Sequence, residues 1–149
     1  MTAPTLVIGV GNPSRGDDAL GPAFVDRAAE ELRTFVEGGH LELLTDFQLQ
    51  VEHALDLIGR ARVVFVDALV GGDAPFVWRR VEPARDTTVS THAMSPAAVL
   101  DAHRTVLGDP PEAWVLAIRG ERFELGEGLS GVAAGNLESA LVFFTATCG

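Results

Sequence analysis

Two aspartates and one histidine occupy positions in this sequence that suit metal ligands. Asp18 follows a polar, glycine-rich segment, Asp67 is a lone charge within an apolar run, and His92 precedes a Ser-Pro pair. Carboxylate oxygens and an imidazole nitrogen together suit a divalent transition metal such as nickel or zinc, with one position left for water or a substrate. The three residues therefore form a candidate metal site if the fold brings them together.

Each of the three residues also has a structural interpretation. Asp18, like its neighbour Asp17, precedes a predicted helix, where a carboxylate caps the helix or interacts favourably with its dipole. Asp67 is tolerated among apolar residues when it is paired, binds a metal or lies at the open end of a strand. His92 in a loop is also compatible with a solvated surface residue. The choice between the two interpretations depends on where the predicted strands and helices place the three residues.

The predicted elements alternate between strand and helix. Short apolar, β-branched runs predict strands, whereas apolar residues three or four positions apart predict helices, one of them with Ser95 as its N-cap. The predicted strands are Thr5–Val10, residues 41–45, Arg62–Val70, residues 76–81 at an edge, and residues 113–118; the predicted helices cover about residues 21–36, 51–58, 96–107 and 132–145. This alternation predicts a three-layer αβα fold of the phosphorylase/hydrolase-like kind, with a central, mostly parallel twisted sheet of about five strands.

Ligands of such sheets bind beyond the carboxyl ends of the strands. Asp18 lies in the loop after the first strand, Asp67 lies near the end of the strand Arg62–Val70, and His92 lies in the loop before Ser95. The predicted fold therefore places all three candidates at one end of the sheet, which favours the metal-site interpretation.

The segment after the first strand begins like a dinucleotide-binding motif but does not complete it. Gly9 and Gly11 match the first two glycines of G-x-G-x-x-G, whereas the third position is Ser14. Asp17 and Asp18 would also repel a pyrophosphate at the positive end of the following helix. A nucleotide-binding module is therefore disfavoured.

Composition excludes several further classes of protein. The chain has 149 residues, consistent with a single domain over residues 1–149, and its 21 acidic and 11 basic residues give a formal charge of -10. This charge disfavours nucleic acid and anionic membranes as partners. No run is long and apolar enough to span a bilayer and the N-terminus is not of signal type, so we expect a cytoplasmic protein, by default a monomer. The lone Cys148 forms no internal disulfide, and His40, His53 and His103 are expected to be solvated.

Several of these segments together resemble the hydrogenase maturation endopeptidases. The strand end at residues 63–68, His92 before a Ser-rich helix start, and the segment 119–130 before the last helix all resemble that family. The family opening G-x-G-N-x-x-x-x-D-(D/E)-x-x-G is present here as Gly9, Gly11, Asn12, Asp17, Asp18 and Gly21. The resemblance covers nearly the whole chain.

The resemblance implies a nickel-dependent, aspartic-type endopeptidase. Such an enzyme binds a nickel-loaded precursor of the nickel-iron hydrogenase large subunit and removes its C-terminal extension. By the same resemblance, Asp18, Asp67 and His92 are the catalytic and metal-binding residues, and they engage nickel that the precursor supplies. A ligand role for both aspartates is favoured over a proton-sharing pair, which would require close approach of the carboxyl groups.

The sequence departs from the common family pattern at two places. Many members have Glu where this chain has Asp18, and many have a Gly-Thr-rich loop where this chain has residues 46–50, Asp-Phe-Gln-Leu-Gln. That loop is expected to help to recognise the substrate, so the departure is consistent with a subfamily that serves a different hydrogenase.

Two alternative functions share part of the pattern. A non-catalytic chaperone that binds nickel or the precursor is compatible with the same fold and residues. Peptidyl-tRNA hydrolase also opens with G-x-G-N-P, but this chain lacks its T-R-H-N stretch, and its negative charge is unsuited to tRNA.

Overall fold

The computed structural model describes residues 2–85 and 94–148. It contains five strands, β1 Thr5–Val10, β2 Leu41–Asp46, β3 Arg62–Val70, β4 Phe76–Arg80 and β5 Glu112–Gly120. The helices are α1 Leu20–Glu31, α2 Arg33–Glu37, α3 His53–Asp56, α4 Pro96–Leu107 and α5 Gly131–Cys148, with a 3-10 turn at Gly16–Ala19.

The strands form one sheet in the order β2-β1-β3-β5-β4. Neighbours pair in parallel except β4, which pairs antiparallel with β5 at an edge. The predicted three-layer αβα fold with a mostly parallel sheet is therefore confirmed, as is the edge position of the strand at residues 76–80.

Successive residues of each strand point to opposite faces of the sheet, and this alternation builds two cores. Val7 of β1 packs on the face covered by α1 and α5, where the rings of Phe24 and Phe144 meet edge to face at 5.4 Å. Leu6 and Ile8 pack on the other face, which α3 and α4 cover. The sheet is therefore enclosed on both sides, and its accessible polar positions lie at the strand ends.

Two of the predicted helices differ from those observed. The helix expected over residues 21–36 divides at Leu32, which leaves the helical conformation (φ -112°, ψ 26°) and keeps its own side chain in the core. Phe35 is consequently 41% exposed rather than buried. The helix expected over residues 51–58 is a single turn, α3, and Leu55 is 60% exposed.

The remaining helices agree with the sequence. Ser95 caps α4, because its Oγ accepts a hydrogen bond from the backbone nitrogen of Ala98 at 3.1 Å. Leu137, Leu141 and Phe144 of α5 are buried, as their spacing predicts. Within residues 2–85 and 94–148, no helix combines the length and the apolar character needed to cross a membrane.

Candidate functional site

The backbone at the end of β1 fixes the position of Asp18. Gly11 has a φ of +146°, and a Cβ atom there would lie 1.9 Å from the backbone oxygen of Asp18. The Oδ2 atom of the half-buried Asp18 accepts a hydrogen bond from the backbone nitrogen of Asn12 at 2.7 Å. The opening motif thus folds back on itself and holds the Asp18 carboxylate beside the carboxyl end of β1.

Gly21 brings the start of α1 against two strands. A Cβ atom at this position would lie 2.4 Å from the backbone oxygen of Val10 and 2.7 Å from that of Val66. Only glycine allows such an approach without displacing the backbone. This glycine of the motif therefore serves the packing of helix against sheet, and it brings the turn that carries Asp18 close to β3.

Asp67 lies where β3 loses one of its two neighbours. The pairing of β1 with β3 ends at Gly9 and Val66, whereas the pairing of β3 with β5 continues beyond Asp67. The Asp67 side chain is therefore accessible from the β1 side, and its Oδ1 accepts a hydrogen bond from the backbone nitrogen of Ala68 at 2.7 Å. This confirms the position expected from the sequence, near the open end of a central strand.

The pKa of Asp67 is raised to about 6. Partial burial is the main cause, because the surrounding protein disfavours the charged form, and the negative charge of Asp18 raises the pKa further. The hydrogen bond from Ala68 acts in the opposite direction and offsets only part of this shift. The fold thus places two carboxylates near enough to repel each other.

Asp18 and Asp67 line one cavity of about 300 Å³ at the carboxyl edge of the sheet. The end of β1 forms its floor, residues 47–49 form one wall, and Met94 and Pro96 at the start of α4 contribute the rest. A larger hollow of about 410 Å³ lies between α3 and α4, and among the described residues that line it Glu52 alone is charged. The smaller cavity is the candidate functional site, because it contains both of the carboxylates that the sequence singles out.

His92, the third predicted site residue, lies outside the described residues. Met94, two positions later in the sequence, lines the cavity that contains the two aspartates. Within residues 2–85 and 94–148, no three His, Cys, Asp or Glu side chains come together as metal ligands would. The described part of the candidate site consists of the two carboxylates.

Asp17 has a role that the sequence did not indicate. It is fully buried and makes no cap to a helix; instead its carboxylate accepts hydrogen bonds from the backbone nitrogens of Glu121, Arg122 and Ser130, and from the Ser130 hydroxyl, at 2.7–2.8 Å. Burial alone would raise its pKa, but these four bonds lower it below the ordinary value. Asp17 thus ties residues 121–130 to the segment that carries Asp18.

Two histidines expected to be solvated are buried instead. His103 is 5% exposed, and its Nδ1 lies 3.0 Å from the backbone oxygen of Gly108. His53 is 8% exposed, its Nδ1 accepts a hydrogen bond from the backbone nitrogen of Gln50 at 2.9 Å, and its Nε2 lies 3.2 Å from Oδ2 of Asp46. Neither histidine belongs to a recognisable sequence motif, so these contacts could not be predicted from the sequence.

Comparisons with known proteins identify the class of fold. No family model and no curated protein matches the sequence. The hydrogenase maturating endopeptidase HybD from Escherichia coli superposes with a TM-score of 0.74 at 24% identity, over 99% of this chain and 91% of that one. This chain therefore has the fold of the hydrogenase maturation proteases.

Two further structures extend this likeness. The NiFe hydrogenase maturation protease HybD from Thermococcus kodakarensis superposes with a TM-score of 0.73 at 17% identity, over 100% of each chain. The maturation protease HycI from Thermococcus kodakarensis KOD1 has a TM-score of 0.68 at 24% identity, over 95% of this chain and 90% of its own. These comparisons bear out, at the level of the fold, the resemblance that the motifs indicated.

Proposed function

We propose that this chain is a hydrogenase maturation endopeptidase, which removes the C-terminal extension from the large-subunit precursor of a nickel-iron hydrogenase. One observation carries the proposal. Asp18 and Asp67 line a single cavity at the carboxyl edge of a sheet whose fold is shared with proteases of that name. In this proposal the nickel arrives in the precursor, and the cavity recognises it as part of the substrate.

The donor atoms of the cavity fit a divalent cation. Oδ2 of Asp18 and Oδ1 of Asp67 each accept a backbone hydrogen bond, and within the described residues the second oxygen of each carboxylate accepts none. One oxygen of each residue thus fixes the orientation of its carboxylate while the other is free to bind a ligand. His92 is the third ligand in the proposal, on the basis of its sequence position.

The electrostatics of the pair also favour a cation. Partial burial and the charge of Asp18 raise the pKa of Asp67 to about 6, so ionising both carboxylates costs free energy in the absence of a positive charge. A bound divalent cation relieves that repulsion and favours the ionised form of both groups. The precursor with nickel therefore has a source of binding energy that the precursor without nickel lacks.

This differential binding is the proposed basis of selectivity. A divalent metal polarises a carbonyl oxygen or lowers the pKa of a water molecule when it is present. Asp18 and Asp67 contribute by orienting the loaded precursor, so that its scissile bond is positioned for hydrolysis only after nickel insertion. An empty precursor is not held in this orientation, and nickel loading becomes the condition for cleavage.

Single substitutions test the proposed site. Asp18→Ala, Asp67→Ala and His92→Ala are each expected to slow cleavage of nickel-loaded precursor by about 100-fold or more, since each removes a metal ligand. Gel electrophoresis of samples taken at successive times measures the rate at which the precursor is cleaved. Asp26→Ala is the matched control, because Asp26 is an exposed residue of α1 that does not line the cavity. Variants that fold normally and cleave at the wild-type rate would show that the site is assigned wrongly.

A further inference from the structure

Residues 47–49 form one wall of the candidate site. No motif in the sequence indicates what holds this segment in place. Phe47, Gln48 and Leu49 all line the cavity, directly after β2 ends at Asp46. Phe47 is 66% exposed, so packing of its own ring does not fix it in place, whereas Leu49 is buried. Core packing therefore holds the wall at Leu49, whereas the position of Phe47 depends on contacts made by the neighbouring residues.

His53 supplies a contact to both ends of the wall. Its Nδ1 lies 2.9 Å from the backbone nitrogen of Gln50 and 3.2 Å from the backbone oxygen of the same residue. Nε2 lies 3.2 Å from Oδ2 of Asp46, and the same carboxylate accepts a bond from the backbone nitrogen of Phe47 through Oδ1 at 2.7 Å. One buried ring thus joins residue 46 to residue 50.

The wall is also joined to the opposite side of the cavity. The backbone nitrogen of Met94 donates a hydrogen bond to the backbone oxygen of Leu49 at 3.1 Å, and Met94 lines the same cavity. Any displacement of residues 47–49 therefore changes the width of the cavity as well as the contact with Met94. His53 itself does not line the cavity.

We propose that His53, through its contacts with Asp46 and Gln50, is a positioning residue that sets the substrate-binding geometry of the wall at residues 47–49. This inference rests on the proposed function for its substrate, the hydrogenase precursor. His53 acts on binding without lining the cavity, and its side-chain contacts within the described residues are with Asp46 and Gln50 rather than with Asp18 or Asp67. Loss of the ring therefore weakens precursor binding and leaves the rate of the bound complex nearly unchanged.

Kinetics with three variants test this inference. His53→Ala is expected to raise KM for the loaded precursor about 10-fold while kcat stays within about 2-fold, since only binding is lost. His53→Gln, which keeps a hydrogen-bond donor for Asp46, is expected to recover most of the wild-type KM. His103→Ala is the matched control: it removes another buried histidine, at the far end of α4, and is expected to leave KM unchanged.

Amide hydrogen exchange by NMR tests the same inference without any substrate. In His53→Ala the Met94 amide is expected to exchange at least about 10-fold faster, because its acceptor Leu49 is no longer held, while the Ala98 amide of α4 is unaffected. Unchanged Met94 exchange or an unchanged KM would overturn the inference. If the wild type cleaves no precursor, the proposed function fails, and the exchange measurement alone still decides whether His53 positions the wall.

Discussion

The ionisation of Asp67 depends strongly on the fold. In an unfolded chain its carboxyl group titrates near the ordinary value of 3.8, whereas in the folded chain burial and the charge of Asp18 raise the pKa to about 6. The native state therefore binds more protons than the unfolded state between these two values. Stability consequently falls as the pH rises through this range, because the charged form of Asp67 is disfavoured only in the folded protein.

Asp67→Asn removes this penalty. In metal-free protein with a chelator present, the variant is expected to melt at a higher temperature than the wild type at pH 7.5, and the gain is expected to disappear towards pH 4. Thermal unfolding at several pH values measures it. Asp26→Asn on the exposed face of α1 makes the same change in charge and should show no such pH-dependent gain. A lower melting temperature for Asp67→Asn at pH 7.5 would contradict the electrostatic account.

The sequence predicts the candidate site at the residue scale only where a residue type is unusual for its surroundings. A carboxylate in an apolar strand and a carboxylate after a glycine-rich turn are such cases, and both lie in the cavity as expected. The role of Asp17 depends instead on contacts with a distant segment, mostly with its backbone nitrogens, and that of His53 on the Asp46 side chain and the backbone of Gln50. These contacts form only once the chain has folded, and no spacing of residue types in the sequence predicts them.

At the scale of elements, the late loop and the opening motif behave as one unit. Besides the four bonds to the Asp17 carboxylate, the backbone nitrogen of Gly16 donates to the oxygen of Glu127 and that of Gly126 donates to Ser14. The two segments are more than 100 residues apart in the chain, yet together they hold the turn that carries Asp18. Asp17 is the centre of this contact.

Asp17→Asn is expected to destabilise the protein by about 3 kcal/mol, because an amide cannot accept all four hydrogen bonds and leaves buried donors unpaired. The free energy of unfolding in urea at pH 7 measures the loss. The difference in stability between the variant and the wild type should be smaller in acid. Folding lowers the pKa of Asp17 below its ordinary value of 3.8, so the ionised carboxylate stabilises the protein fully above that pH. This stabilisation disappears as the pH falls through the lowered pKa of the folded protein. A variant as stable as Asp26→Asn would contradict this role.

Elements were predicted well where the core determines them and less well at the surface. The five strands and α4 and α5 follow apolar patterns that the two cores bury. The division of the first helix at Leu32 and the shortness of α3 were missed, because Phe35, Val51, Leu55 and Ile58 match a helical apolar pattern but are largely exposed. An apolar pattern shows which face of a helix is suited to burial. Tertiary contacts determine whether that face is buried in the folded protein.

At the scale of the whole molecule, the fold, the cavity and the negative charge are all consistent with the proposed function. The chain shares the fold of hydrogenase maturation proteases over nearly its full length. Its net charge of -10 disfavours phosphate-bearing partners, and two of its 21 acidic residues line the cavity where the proposal places a cation. In the proposed function, selection of the nickel-loaded precursor requires contact between this protein and the precursor.

Cleavage of paired precursors tests the central claim most directly. The purified protein is incubated with the nickel-loaded and the nickel-free large-subunit precursor, and release of the C-terminal extension is followed by mass spectrometry. The account predicts that the loaded precursor is cleaved and the nickel-free one is not. Equal cleavage of both would contradict recognition of nickel, and cleavage of neither would contradict the endopeptidase proposal and favour a non-catalytic chaperone.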